Sequence, residues 1–207
     1  MVDPEKRGRG RPKWAAYYRW TGKRPPRELL GRALDHIQWE GGRRKRRTAV
    51  ELGFGAGTDT LELLERGWSV VAVDREAAAA DFLARRVPRR LRPFLTTVTA
   101  PMEELRIPRA DLVYASYSLP FCVPAQFPAL WRSIRRALPP GGHFAGQLFG
   151  EKDEWHGRRL MTFHSLRDIR TLTRGYKVEL VRETVEDGQS FDGPKHWHFW
   201  DLILERS

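Results

Sequence analysis

The sequence is poor in cysteine and has no long apolar stretch. Its one cysteine, Cys122, excludes an internal disulfide and a cysteine-rich zinc site. No apolar run approaches the roughly 20 residues that cross a bilayer, and the charged N-terminus is unlike a secretory signal peptide. These absences predict a cytoplasmic protein that does not enter a membrane.

The chain does contain an excess of basic charge, which is concentrated at one end. The formal net charge is +11 over 207 residues. Residues 1–47 hold 15 Lys or Arg against 5 Asp or Glu, whereas residues 48–207 hold 22 against 21. A basic arm can contact nucleic acid or another anionic surface. Residues 1–13 have little to bury, so we expect a disordered basic tail there and one domain over 14–207.

Strand and helix patterns alternate from residue 48 onward. Short apolar strands are predicted at 48–52, 69–73, 94–99, 111–116 and 143–149. Helical patterns between them indicate βαβ units and a mainly parallel sheet. Two late strands, 176–185 and 196–205, are joined only by a polar loop at 186–195, so they must pair antiparallel. We therefore predict an α/β fold, a doubly wound Rossmann-like sheet of seven strands that ends in an antiparallel hairpin.

The most informative motif lies where the first strand ends and a helix begins. It reads Glu-Leu-Gly-Phe-Gly-Ala-Gly-Thr over residues 51–58. Glycines at such a turn let a ligand approach the backbone, and Asp74, at the end of the second strand, stands where an acid binds ribose hydroxyls. Glu51 and Asp59 flank the glycines. Acids there repel a pyrophosphate but suit S-adenosylmethionine (SAM), which carries an ammonium and a sulfonium.

These motifs resemble those of the class I SAM-dependent methyltransferases. The shared patterns are the glycine-rich first motif at 51–57, the acidic second motif at 73–74, the fourth-strand motif at 110–113 and the Leu-Pro-Pro-Gly-Gly turn at 138–142. The resemblance covers roughly residues 14–207. It implies that the chain is an enzyme that transfers a methyl group from SAM.

The resemblance also implies a role for each matching position. The three glycines line the methionine and ribose, and Glu51 interacts with the methionine end directly or through water. Asp74 holds the ribose hydroxyls and Arg75 lies beside the adenine. Pro101 stands where the family often has Asp, so Met102 or Glu103 covers the adenine instead. The residues expected to contact the cofactor are Glu51, Gly53, Gly55, Gly57, Thr58, Asp59, Asp74, Arg75, Met102, Glu103, Tyr117 and Ser118.

The acceptor is expected at the end of the fourth strand, because ligands of this fold bind at the carboxyl ends of parallel strands. The candidate catalytic residues are Tyr117, which lies there, and the possible bases His196 and His198, which strand alternation puts on one face. Paired histidines can also bind metal, but no third ligand is apparent nearby and no metal site is predicted. The residues expected to contact the substrate are Tyr17, Tyr18, Trp20, Phe121, Trp155 and His196.

Two segments are expected to close over the site. The resemblance implies that residues 14–47, which carry several aromatic side chains, form a cap over the cofactor. Packing against the sheet edge is the alternative. Residues 150–164, a polar stretch that includes Trp155, predict a lid. The segments 147–155, 161–165 and 195–198 resemble a small bacterial branch of methyltransferases near the tellurite-resistance and small-molecule enzymes. This resemblance implies a small-molecule acceptor, and we expect a monomer or homodimer.

Two other functions remain open. Residues 6–13 resemble an AT-hook, so weak DNA contact through Arg7 to Pro12 is a candidate. Residues 118–121, Ser-Leu-Pro-Phe, resemble the acceptor motif of amino-group DNA methyltransferases but miss its first proline, and too little chain follows the core for a target-recognition region. A SAM-binding protein without catalysis would show the same glycine turn.

Overall fold

The computed structural model describes residues 14–37 and 46–207. The helices in these ranges are α1 (Trp14–Thr21), α2 (Glu28–His36), α3 (Thr58–Glu65), α4 (Ala77–Arg86), α5 (Phe127–Ala137) and α6 (Leu166–Leu172). The strands are β1 (Thr48–Leu52), β2 (Ser69–Asp74), β3 (Leu95–Thr99), β4 (Leu112–Ala115), β5 (His143–Gly150), β6 (Phe163–His164), β7 (Tyr176–Ser190) and β8 (Gly193–Arg206). Short 3₁₀ turns cover Arg89–Phe94, Met102–Glu104 and Leu119–Phe121.

The described strands form one sheet in the order β3-β2-β1-β4-β5-β8-β7, and the two-residue β6 pairs with β5 off this path. The first five strands in this order, β3-β2-β1-β4-β5, pair in parallel with their neighbours. Strand β8 runs antiparallel to both β5 and β7. The predicted doubly wound sheet with a closing antiparallel hairpin is confirmed. The prediction of seven strands missed β6, which is too short to leave a periodic pattern in the sequence.

The sheet is covered on both faces, which is why its central strands are apolar throughout. All residues of β4 and β5 are buried. Leu130 and Ile134 of α5 pack on one face, and Leu30 of α2 and Leu63 of α3 pack on the other. Parallel strands need helices on both faces to be buried in this way, so these helices fix the strand ends at which a ligand can bind.

The closing hairpin is longer than predicted. The segment 186–195, expected as a loop, continues β7 to Ser190 and begins β8 at Gly193, leaving a two-residue turn. Its polar residues face solvent along the edge strand, so the segment lacks the apolar alternation that indicates a strand. The extension carries Phe191 to α1, where its ring lies 5.8 Å from the rings of Tyr17 and Trp20.

The segment before β1 forms two short helices that lie against the rest of the domain. The buried residues of α2 include Leu29 and Ala33. Arg86 of α4 donates to the backbone carbonyls of Gly22 and Ala56, which links the α1–α2 connection to the glycine turn. In the described ranges, no helix has the length and apolar character needed to cross a bilayer.

Candidate active site

A pocket opens at the carboxyl ends of β1, β2 and β4, beneath α1 and the connection to α2. It holds about 870 Å³ of space between protein atoms, part of it continuous with solvent. The residues that line it are Tyr17, Tyr18, Thr21, Arg24, Arg27, Gly53, Phe54, Gly55, Ala56, Val73, Asp74, Arg75, Ala100, Met102, Ser116, Tyr117, Ser118 and Phe121.

The glycine turn forms the floor of this pocket. Gly53, Gly55 and Gly57 have φ values of 77°, 54° and 71°, in the left-handed region that favours glycine. A Cβ at Gly53 would lie 2.3 Å from the Cβ of Ser118, so that position also requires close packing against the end of β4. A Cβ at Gly55 would meet nothing nearer than the Tyr18 ring at 3.7 Å, so it would project into the pocket.

Asp74 is held in place by the turn itself. Its Oδ2 accepts from the Gly55 N–H at 2.8 Å, and its Oδ1 accepts from the Glu76 N–H at 3.0 Å and the Tyr18 hydroxyl at 3.4 Å. Burial raises the pKa of Asp74, and the two backbone N–H groups oppose that shift. A carboxylate accepts about four hydrogen bonds, so this one keeps accepting capacity towards the pocket, where a ribose hydroxyl can donate.

Asp59 holds the connection between α1 and α2 rather than lining the pocket. The Arg24 guanidinium donates to both of its carboxylate oxygens, at 3.0 and 2.7 Å, and the Arg27 N–H donates at 2.9 Å. The Tyr114 hydroxyl donates from the sheet at 3.3 Å. The Asp59 side chain is 1% exposed. Asp59, which the sequence placed at the cofactor, therefore joins α3 to the α1–α2 connection and to β4.

Glu51 lies beneath the turn and is not among the pocket residues. Its carboxylate accepts from the Thr60 hydroxyl on α3. Complete burial, with the charge of Asp59 nearby, raises the pKa of Glu51 well above its ordinary value. Glu51 thus supports the turn from below, and the predicted contact with the methionine end is not direct in this arrangement.

Tyr117 stands at the end of β4 in a strained conformation. It is a non-glycine residue with positive φ, 52°, in the described ranges, and such strain often marks a functional site. Its N–H donates to Gln147 Oε1 at 3.3 Å, and Gln147 Nε2 donates to the buried Asp201 at 2.9 Å. Arg182 donates twice to the same carboxylate, at 2.9 and 2.7 Å. This network from β5, β8 and β7 was missed because its members are distant in sequence.

The Tyr117 ring forms the boundary between the pocket and an aromatic cluster. Arg27 lies over the ring at 4.8 Å from its centroid, and burial raises the pKa of the phenol to about 12. The rings of Phe199 and Trp197 lie 5.3 and 5.9 Å away on the other side. Tyr117 therefore stays protonated near neutral pH and cannot act as a base there.

The predicted lid is tied to β8 beside this cluster. Lys195 donates to Asp153, and both side chains are almost fully buried. The Lys195 ammonium also lies 3.6 Å from the Trp197 ring centroid and 4.3 Å from that of Trp155. Trp155 does not line the pocket, but its ring contacts Phe121, which does.

The pocket brings together many, but not all, of the predicted site residues. Those that line it are Gly53, Gly55, Asp74, Arg75, Met102, Tyr117, Ser118, Tyr17, Tyr18 and Phe121. Those that lie outside its lining are Glu51, Gly57, Thr58, Asp59, Glu103, Trp20, Trp155, His196 and His198. Glu103 instead accepts from Arg75 at 3.1 Å, and Trp20 is 53% exposed on the outer side of α1.

The two histidines predicted as bases face away from the pocket. Alternation along β8 directs Trp197 and Phe199 towards Tyr117, so His196 and His198 point to the opposite face. His196 contacts Asp187 at 2.7 Å, and His198 contacts Glu183 at 3.0 Å. The expectation of a shared face holds, but the register of β8 turns that face away from the pocket, so the structure does not support a catalytic role for them.

Comparisons with known proteins agree with this geometry. Residues 49–142, a little under half of the chain, match the sequence profile of the methyltransferase domain family. A sequence search of curated proteins found no match.

Solved methyltransferases share the fold at low identity. TehB from Haemophilus influenzae is 13% identical over 86% of this chain, with a TM-score of 0.70, and this chain spans 62% of its length. A Burkholderia thailandensis 1,6-didemethyltoxoflavin-N1-methyltransferase, solved with 1,6-didemethyltoxoflavin and S-adenosylhomocysteine, is 20% identical over 100% of this chain and 92% of its own, with a TM-score of 0.65. A SAM-dependent methyltransferase from Mesorhizobium loti is 19% identical over 86% of this chain and 98% of its own, with a TM-score of 0.64.

The sequence profile covers the part of the chain that builds the pocket floor. It contains the glycine turn, Asp74 and the end of β4, and the fold around them is the one shared with these methyltransferases. The chain therefore contains a segment that matches the methyltransferase domain family, and it has the fold of solved SAM-dependent methyltransferases.

Proposed function

We propose that this enzyme transfers the methyl group of SAM to a small-molecule acceptor. The main support for the proposal is the segment before β1, which covers one side of the pocket. Residues of α1 and its connection to α2 form one wall of the pocket, and the Arg24–Asp59 pair fixes that wall to α3. A site with such a wall is enclosed enough for a small molecule. The nearly neutral charge of residues 48–207 agrees, because binding to a nucleic-acid backbone depends on basic charge.

The residues of the pocket fit SAM. Gly55 leaves open the space that a side chain would fill, and Asp74 presents an oriented carboxylate beside it. Arg27 reaches the pocket from the cap and offers a cation for a carboxylate. Bound SAM supplies an electrophilic methyl group on a sulfonium. The chain positions the acceptor for in-line attack, and such positioning alone can supply a large part of the rate.

The acceptor side of the pocket indicates which nucleophiles suit it. Tyr17, Tyr117 and Phe121 make this side aromatic, and Arg27 adds a positive charge. Among the described residues that line the pocket there is no histidine or lysine. The Tyr117 phenol is protonated at neutral pH, and Asp74 is assigned to the ribose. The acceptor therefore arrives already able to attack, as a thiolate, a metalloid oxyanion or an unprotonated heteroaromatic nitrogen does.

One structural neighbour supports a small-molecule acceptor by analogy. The Burkholderia thailandensis protein is a 1,6-didemethyltoxoflavin-N1-methyltransferase and was solved with 1,6-didemethyltoxoflavin.

A methyl-transfer panel tests the proposal. The tag-free, full-length protein is incubated with methyl-labelled SAM and, separately, with thiols, metalloid oxyanions, heteroaromatic amines, carboxylates and A·T-rich duplex DNA. We expect label in at least one small-molecule class and none in DNA, with S-adenosylhomocysteine formed in equal amount. Reactions without protein provide the background. Label only in DNA would contradict the proposal, and no label above background in any class would favour a binding protein without catalysis.

The AT-hook-like segment lies outside the described residues, so DNA contact through Arg7 to Pro12 stays a prediction. A variant with Arg7, Arg9 and Arg11 replaced by Ala tests it, since a real contact makes binding weaker and less dependent on salt. We also propose a cytoplasmic monomer or homodimer, with 150–164 as a lid. Light scattering of the purified protein measures the oligomeric state, and cell fractionation measures the location.

A further inference from the structure

Three potential metal ligands, His143, Glu179 and Glu205, meet at the end of the sheet opposite the SAM pocket, and His36 lies beside Glu179 outside this group. His143 is the first residue of β5, and Glu205 is its partner on β8. Glu179 comes from β7, and His36 is the last residue of α2. The pocket lies where the parallel strands end, whereas this cluster lies where β5 begins, so the two sites are separate. None of these residues has a part in the chemistry proposed above.

A β-bulge brings Glu179 into the cluster. The pairing of β7 with β8 shifts between Val178 and Leu180, which leaves Glu179 as the extra residue. A bulge re-aims a side chain, and here the Glu179 side chain is only 7% exposed although its neighbours Lys177 and Val178 are on the surface. The irregularity thus buries a carboxylate next to a buried imidazole.

The spacing of the donor atoms fits a small divalent ion. His143 Nε2 lies 3.3 Å from Glu179 Oε2, and His36 Nδ1 lies 3.6 Å from the same oxygen. One donor atom from each of His143, Glu179 and Glu205 can be chosen so that all three lie within 4.8 Å of one another. Zinc bonds to nitrogen and oxygen of about 2.0–2.2 Å in a tetrahedron put neighbouring ligands about 3.3 Å apart.

Buried donors in the cluster lack hydrogen bonds. Considering the described part of the chain, neither ring nitrogen of His143 nor Oε2 of Glu179 makes one. The two side chains are 8% and 7% exposed, so they are more than nine-tenths buried. Buried polar atoms are nearly always paired with protein, water or an ion, and an ion at the centre of the cluster would satisfy both residues at once.

Lys177 forms ion pairs with the carboxylates of Glu179 and Glu205. Lys177 Nζ lies 3.0 Å from Glu205 Oε2 and 3.6 Å from Glu179 Oε1. Its side chain is 68% exposed and flexible, so it can move into solvent when an ion arrives. This lysine does not satisfy the imidazole of His143, because neither ring nitrogen of His143 makes a hydrogen bond in the described part of the chain.

We propose that His36, His143, Glu179 and Glu205 bind one divalent transition-metal ion of the zinc type. Two imidazoles and two carboxylates suit zinc, whereas magnesium and calcium select oxygen donors. The ion would tie the end of α2 to β5, β7 and β8. Since α2 begins next to Arg27 of the pocket, the site would stabilise the cap from the far end of the helix. The proposal does not depend on the acceptor or on methyl transfer.

Zinc titration of the full-length, tag-free protein tests this site after treatment with EDTA and dialysis. We expect one Zn²⁺ per chain by calorimetry and elemental analysis, an increase in unfolding temperature on adding Zn²⁺, and the visible absorption of tetrahedral Co²⁺ on cobalt substitution. His143→Gln and Glu179→Gln should each weaken binding at least tenfold. His156→Ala, which removes an exposed histidine of the lid, is the matched control and should bind like the wild type.

The outcomes separate a metal site from a protein ion pair. Wild-type binding no tighter than that of His143→Gln, or unchanged binding by Glu179→Gln, would overturn the proposal. So would binding of Mg²⁺ but not Zn²⁺. Circular dichroism and unfolding in EDTA show whether the variants fold. If Glu179→Gln does not, Glu205→Gln, whose side chain is 29% exposed, provides the decisive comparison.

Discussion

Replacing Gly55 by Ala adds one methyl group to the pocket side of the glycine turn. The backbone there has φ of 54°, and the nearest atom to the new Cβ is a Tyr18 ring carbon at 3.7 Å. The free protein therefore has room for the methyl and bears only the cost of a left-handed alanine, about 1–2 kcal/mol. Bound SAM would compete for the same space, so affinity should fall by more than stability does.

Gly67 and Gly53 provide matched comparisons. Gly67 has φ of 86° with no atom near its virtual Cβ, so Gly67→Ala isolates the backbone strain. At Gly53 the Cβ would lie 2.3 Å from that of Ser118, so Gly53→Ala adds an overpacking cost of about 1–3 kcal/mol to the strain. For a domain of this size 1 kcal/mol shifts the unfolding temperature by about 2–4 °C.

The assays are thermal unfolding without ligand and calorimetric titration with SAM. We expect Gly55→Ala and Gly67→Ala to lower the unfolding temperature alike, by about 2–8 °C, and Gly53→Ala to lower it further. SAM affinity should be unchanged in Gly67→Ala and at least about tenfold weaker in Gly55→Ala, a loss of about 1.4 kcal/mol. Equal SAM affinity in these two variants would refute the placement of the cofactor against the turn.

Three further predictions concern residues around the pocket. Asp59→Asn breaks the pair with Arg24 and should lower the free energy of unfolding by about 3 kcal/mol and weaken SAM binding, as measured by urea unfolding and calorimetry. Burial lowers the pKa of His164 to about 4 from 6.5. Only the unfolded chain then gains a proton between these values, so stability should fall by on the order of 3 kcal/mol from pH 6.5 to 4, and less in His164→Leu. Gln147→Leu should cost about 1–3 kcal/mol by leaving buried polar groups unpaired, with a larger loss in kcat than in SAM affinity.

Each of these predictions has a result that contradicts it. Wild-type stability in Asp59→Asn would mean that the pair does not hold the cap. A wild-type unfolding free energy that is constant between pH 6.5 and 4 would contradict the buried neutral His164, and His156→Ala should keep the wild-type pH profile as a control. Unchanged kcat in Gln147→Leu would show that the network does not position Tyr117.

The central βαβ part of the fold could be predicted because its signals are local. Each buried parallel strand is a short apolar run, and glycine or proline ends the element beside it. The glycine turn and Asp74 were identified in the same way, since both occur at strand ends and only the sheet order was needed to bring them together. The structure confirms this order and places both in one pocket.

The parts that sequence reasoning missed depend on register and on distant pairing. Whether His198 or Trp197 faces the pocket is decided by how β8 pairs with β5, and a shift of one residue exchanges the two faces. The cluster of His36, His143 and Glu179 requires a bulge in β7 that no local pattern indicates. The hairpin at 186–195 is polar because it lies at an edge, so its strands lack the usual apolar alternation.

The central claim is that this chain binds SAM through the glycine turn and Asp74, and one comparison tests it most directly. Calorimetric titration of SAM into the wild type and Asp74→Ala measures the contribution of the carboxylate. Charge-assisted hydrogen bonds contribute about 1.5–3 kcal/mol, so we predict one SAM per chain and an affinity about 10- to 150-fold weaker in Asp74→Ala, whose folding is checked by circular dichroism. Equal SAM affinity in the two proteins would contradict the account.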